Sequence, residues 1–146
     1  MPSRALDKNF VLVVSPHPER CNAVADGIEQ AGMYNAITFS SGQDALNHLR
    51  RYVLELFDTA KPTDPSIVAV VVDARDDSTE GDIKAFGKIA TGLKLKVIGL
   101  TTSTEQEISL QPYAGHLFSG DNVMKAIEKI NIALRPIGHS TKRMAQ

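Results

Sequence analysis

Only one cysteine and no tryptophan occur in these 146 residues. A lone Cys21 can close no disulfide within the chain and supplies no multi-cysteine metal centre. It falls on the apolar side of an expected helix, where a small core residue is its simplest role. An excess of charge of either sign is also missing: 16 basic and 17 acidic residues leave a net charge of -1. Non-specific nucleic-acid binding needs a basic field, and nothing in the composition provides one. No apolar run approaches the ~18 residues of a membrane span, and the opening MPSRALDKNF has no hydrophobic signal segment. No membrane role is expected, and a cytoplasmic setting is. No internal repeat or low-complexity tract breaks the chain, and its length suits one domain with its own core.

What is present is an alternation of apolar runs and helical patterns. Phe10–Val14 reads as a buried strand. Pro18–Ala31 follows as a helix with Cys21, Val24, Ala25 and Ile28 on one face, and Gly32 is a natural stop. Ala36–Phe39 is a weaker strand. Ser41 can cap a second helix, with Asp44 suited to its positive end. Leu46, Leu49, Val53, Leu56 and Phe57 keep helical spacing until the DTAKPTDP break. Ile67–Val72 is apolar at every position, as in a central parallel strand covered on both faces. A helix is expected from about Gly81 to Gly92, a strand at Val97–Leu100 and a short strand at His116–Phe118. Asp121–Leu134 reads as a helix stopped by Pro136. Thr104–Leu110 has few apolar anchors and makes a poor helix. Strand and helix thus alternate five times, which implies an α/β domain: a five-stranded parallel sheet, doubly wound, with helices on both faces. The expected division is an N-terminal extension at 1–9, the domain at 10–135, and a tail or linker at 136–146. Output is then expected from a partner or from further chain.

In such sheets the chemistry gathers beyond the carboxyl ends of the strands. The residues following the apolar runs are Ser15, Pro16 and His17, then Asp73, Thr101 with Thr102, and Ser119 with Gly120 and Asp121. Ser15, His17 and Asp73 contain the residue types of a hydrolytic triad or a transition-metal site. Neither a G-x-S-x-G elbow nor a histidine spacing such as H-x-E-x-H accompanies them, and His48, His116 and His139 are scattered. The first loop also lacks the glycines that let backbone N–H groups approach a nucleotide phosphate.

The span from Phe10 to Leu134 resembles a receiver domain of the bacterial response regulators, which have the flavodoxin-like, CheY-like fold. VLVVSPHPER resembles that family's first strand and acidic loop, SGQDALNHL the opening of its second helix, and VVVD the strand carrying the phosphorylated aspartate. IGLTT resembles the fourth strand with its switch hydroxyl, and Glu80-Gly81 stands where the family usually has Asp-Gly. The resemblance makes Asp73 the phospho-acceptor equivalent and Thr101 the switch-hydroxyl equivalent. It also exposes losses. The acidic pair that helps to hold Mg²⁺ is replaced by Ser15 and Pro16, with His17 after them. Ser119 stands in place of the family's lysine, and Thr102 would crowd a phosphoryl group. Magnesium wants hard oxygen ligands, usually with one or two carboxylates among them, and Ser15, Pro16 and His17 offer no carboxylate. A phosphorylated Asp73 would also add negative charge beside Asp76, Asp77 and Glu80 unless Arg75 or another cation turned inward.

The expected function is therefore that of a degenerate, or pseudo-, receiver. It would be non-enzymatic, need no cofactor or metal, and act through protein partners of a bacterial signalling pathway. Tyr52, Leu54 and Phe57 on the long second helix are the candidate interaction surface, with a homodimer as one use of it. Two alternatives stand beside this one. The first is a divergent response regulator phosphorylated on Asp73 by a histidine kinase with Mg²⁺. The second is a small-ligand or metal sensor at the same rim.

Overall fold

The computed structural model describes residues 9–58, 67–74, 77–90 and 95–135, the side chains of 55–58 and 77–79 excepted. The expected extension (save Asn9), the expected tail, Arg75, Asp76, the Asp77 and Phe57 side chains and Pro136 lie outside it.

The five strands are β1 (Phe10–Val14), β2 (Asn35–Phe39), β3 (Ile67–Asp73), β4 (Lys96–Thr101) and β5 (His116–Ser119). The helices are α1 (Pro18–Gln30), α2 (Gly42–Asp58), α3 (Asp77–Ala90), α4 (Thr104–Leu110) and α5 (Val123–Leu134). All strand pairs are parallel, in the order β2-β1-β3-β4-β5. β1 lies in the interior of the sheet, with β2 added on one side of it and β3, β4 and β5 on the other, so the order reverses between β1 and β3.

Alternation along the strands builds two apolar layers, because successive side chains point to opposite faces. Val11, Val13, Ala69, Val71, Ile98 and Leu100 pack with Cys21, Val24 and Ile28 of α1 and Ile127, Ile130 and Leu134 of α5. Leu12, Val14, Val70, Val72 and Val97 pack on the other face with Leu46 and Leu49 of α2, Ile83 and Phe86 of α3, and Leu110 of α4. β3 contributes to both layers, which is why it lacks a polar side chain until Asp73. α1 ends where Gly32 takes φ 88°, a left-handed turn that glycine adopts without strain. The α5 carbonyls of Ala133 and Leu134 accept hydrogen bonds from the Lys96 ammonium (2.7 Å) and the Tyr34 hydroxyl (2.8 Å). Two of the acceptors that a helix C-terminus leaves open are thereby satisfied.

Two expectations need correction. α3 starts at Asp77, a turn before Gly81. Thr104–Leu110 does form a helix. Its stability comes from a cap and from polar anchors: the Ser103 hydroxyl accepts from the Gln106 N–H, and Gln106 is buried beside Leu110. Tyr52 continues the Ala45–Leu49 stripe and packs, half-buried, against the core. Leu54 is 61% exposed.

Candidate functional site

The sheet register brings the candidate residues together. Val14 pairs with Val72, so the residues after them, Ser15 and Asp73, leave adjacent strands side by side. Asp73 pairs with Leu100, and Thr101 with Ser119. The loops are tied by backbone bonds from Ser15 N–H to the Phe39 carbonyl, Ala74 N–H to that of Leu100, and Gly120 N–H to that of Thr101. Ser15 and Asp73 therefore sit at the carboxyl ends of β1 and β3, where the strand order reverses and sheets of this kind place their ligands.

Asp73 is buried, and a cation is already on it. The Arg20 guanidinium donates from Nε to Asp73 Oδ2 at 2.7 Å and from Nη2 to Oδ1 at 3.0 Å, a two-pronged ion pair. Nη2 also donates to the Gly120 carbonyl at 2.9 Å, so one side chain of α1 joins the ends of β3 and β5. The Ser15 hydroxyl donates to Asp73 Oδ2 at 2.9 Å and accepts from the His17 N–H at 3.1 Å. The Asp73 side chain is 4% exposed and that of Arg20 19%, so water reaches the guanidinium but scarcely the carboxylate. A buried carboxylate is tolerable only when paired and hydrogen-bonded, and Asp73 is both. Paired guanidinium and carboxylate planes give this contact direction as well as charge.

Arg20 did not stand out in the sequence, though a signal was available. A basic residue in the first turn of a helix opposes the macrodipole, which favours acidic side chains there. Such a residue needs a tertiary partner, and Asp73 is that partner. Cys21, the next residue, is buried below the site, and burial pushes its thiol up from the ordinary value, with the Asp73 charge adding to the effect.

The other candidates are less central. Pro16 and His17 are exposed; His17 occupies the N-cap position of α1 without a side-chain capping bond, and Pro18 opens the first turn. The Thr101 hydroxyl is buried within reach of Glu107 Oε2 (3.2 Å) and the Phe118 carbonyl (3.3 Å). Ser119 is exposed and accepts from the Asp121 N–H. Gly120 has its own requirement: a Cβ there would lie 3.0 Å from Arg20 Nη2 and 3.2 Å from Leu100 Cβ. The residue that sequence reasoning passed over beside Arg20 is Gln106, whose amide bonds Ala74, Glu80 and the Thr102 N–H.

The Mg²⁺ that this fold suggests finds a poor set of donors. Magnesium takes near-octahedral oxygen ligands with one or two carboxylates. Both oxygens of Asp73 already accept from Arg20, Ser15 supplies a hydroxyl, and Pro16 offers no side-chain donor. Among the described residues no three His, Cys, Asp or Glu side chains converge as a metal site would need. No helix among the described residues is long and apolar enough to cross a membrane.

No family model matches the chain, and no curated protein matches it. Solved structures do. A CheY-like response regulator receiver domain protein from Methanospirillum hungatei JF-1 is 17% identical with a TM-score of 0.62, over 87% of this chain and 94% of that one. A response regulator from Thermotoga maritima is 20% identical with a TM-score of 0.60, over 84% and 94%. An orphan response regulator of H. pylori is 12% identical with a TM-score of 0.63, over 90% and 100%. With the strand order and five helices described above, these likenesses establish that the chain has the CheY-like receiver fold.

Proposed function

We propose that this protein is a pseudo-receiver, a signalling domain that keeps one conformation at its former acceptor site and works through protein–protein contacts. The observation that carries the reading is the two-pronged Arg20–Asp73 ion pair. An acceptor aspartate must offer a free carboxylate oxygen to the incoming phosphorus, and a cation must screen the charges that approach it. In this protein Arg20 acts as the resident cation, and it does so by engaging the same oxygens that would attack. A phosphoryl donor would have to displace the guanidinium, leaving the buried carboxylate without its charge partner while further negative charge arrives. Ser15 in place of an acidic residue fits the same logic: one carboxylate balances one guanidinium, and a second would leave excess charge buried. The domain needs no Mg²⁺, catalyses no reaction, and acts in the cytoplasm on a protein of a bacterial signalling pathway.

The test is the intact mass of the protein after incubation with Mg²⁺ and a small-molecule phosphoryl donor. The expected spectrum holds unmodified chain only. A phosphoryl adduct that disappears in Asp73→Asn would overturn the proposal and establish a working, if divergent, response regulator.

A further inference from the structure

An open sheet leaves an unpaired edge on each side, and the two edges of this sheet are finished differently. At the β2 edge Asn35 turns its N–H inward to the Asn9 carbonyl, and the outward N–H of Ala36 donates to Glu29 Oε2 at 3.0 Å. A carboxylate of α1 thus closes the position where another strand would pair. β5 forms the other edge. Gly115 turns its N–H to the Val97 carbonyl, and the alternation of a strand then turns the N–H groups of His116 and Phe118 away from β4. Among the described residues no strand pairs with that side of β5. Its sequence, His116-Leu117-Phe118-Ser119, holds no proline, lysine or glutamate, the residues that commonly guard an exposed edge.

A groove lies beside this open edge. His116, Phe118, Lys129, Ile132 and Ala133 line a cleft of about 360 Å³ between β5 and α5. The His116 and Phe118 rings stack with their centroids 6.1 Å apart, and Ile132, 58% exposed, adds apolar surface from α5. Lys129 brings a positive charge to the lining, and the exposed Lys125 precedes it by one turn; Glu128 is exposed and does not line the cleft. We infer that β5 and this groove take an extended segment of a partner protein, added to the sheet as a further strand, with an apolar side chain in the groove and an acidic one against Lys129. Strand addition supplies main-chain hydrogen bonds, and a side pocket supplies the choice of sequence. A second copy of this chain fits less well. Pairing of two β5 strands about a twofold axis would bring Lys129 of both copies to one seam, where like charges repel. The surface includes neither Asp73 nor Arg20, so it stands or falls separately from the pseudo-receiver reading.

Amide NMR of the full chain tests this with the peptide Thr-Glu-Thr-Val-Thr-Glu-Thr. Its symmetry suits either strand direction, and it places both Glu side chains on the same face as Val. Shifts are expected at residues 115–119 and 129–133, with slowed exchange of the His116 and Phe118 amides, which strand pairing requires and groove contact alone does not produce. The peptide with both Glu replaced by Lys should bind about tenfold more weakly, and Lys129→Glu should reverse that preference. Ile132→Glu, at an exposed position outside the core, should weaken binding of the Glu peptide about tenfold. No shift at β5 with millimolar peptide would overturn the inference, as would shifts without slowed exchange at His116 and Phe118. Protection of those two amides in the free protein that grows with protein concentration would assign the edge to a second copy and overturn it as well.

Discussion

Replacing Arg20 by methionine keeps the apolar stem and removes the guanidinium, which isolates the contribution of the ion pair. Asp73 would keep one hydrogen bond, from Ser15, and lose both bonds from Arg20. Breaking a buried pair by removing one partner costs about 3–5 kcal/mol, because the remaining charge stays buried and unpaired. Arg20 is 19% exposed, so water can enter where the guanidinium stood and the cost falls to about 2–3 kcal/mol. The assay is urea unfolding of wild type, Arg20→Met, Asp73→Asn and the double variant. Both single variants should lose stability, and the double variant should lose less than their sum, a signature of direct coupling. Equal stability of Arg20→Met and wild type in that assay would refute the reasoning.

Other expectations follow from the same contacts. Ser15→Ala removes one hydrogen bond to a charged acceptor that keeps its other partners, so urea unfolding should show a loss of about 1–2 kcal/mol. Gly42→Ala would place a Cβ on the half-buried Asp82 carboxylate, an overpacking cost of about 1–3 kcal/mol that should shrink in an Asp82→Ala background. Burial holds the His116 imidazole below its ordinary pKa, with Lys96 adding to the effect. The unfolded chain then takes up this proton first as pH falls, so stability should decline from the ordinary imidazole pKa down to the depressed one. His116→Gln should remove that part of the slope in unfolding midpoints measured against pH.

The fold was legible in the sequence for a clear reason. Residues 67–72 are apolar throughout, and the face of Cys21, Val24, Ala25 and Ile28 repeats with helical spacing; both patterns reappear as buried surface. α4 was poorly legible because apolar periodicity cannot register a helix anchored by Gln106 and capped by Ser103. The site was half legible. Asp73 and Ser15 follow directly from strand ends, and parallel pairing makes them neighbours. Arg20 belongs to the next helix, and only its cost against the helix dipole hints that it turns toward a carboxylate across the sheet. Tyr52 also joins the wider apolar stripe that begins at Ala45.

The central claim is that Arg20 occupies the cation position at Asp73, and the Arg20 Nε–H resonance in solution reports on it most directly. That proton is donated to a carboxylate at 2.7 Å. It should be slow to exchange, lost or strongly shifted in Asp73→Asn, and unmoved when Mg²⁺ and beryllofluoride are added to wild type. Displacement of that resonance by Mg²⁺ with beryllofluoride, with Asp73-dependent shifts spreading to Thr101, would contradict the account.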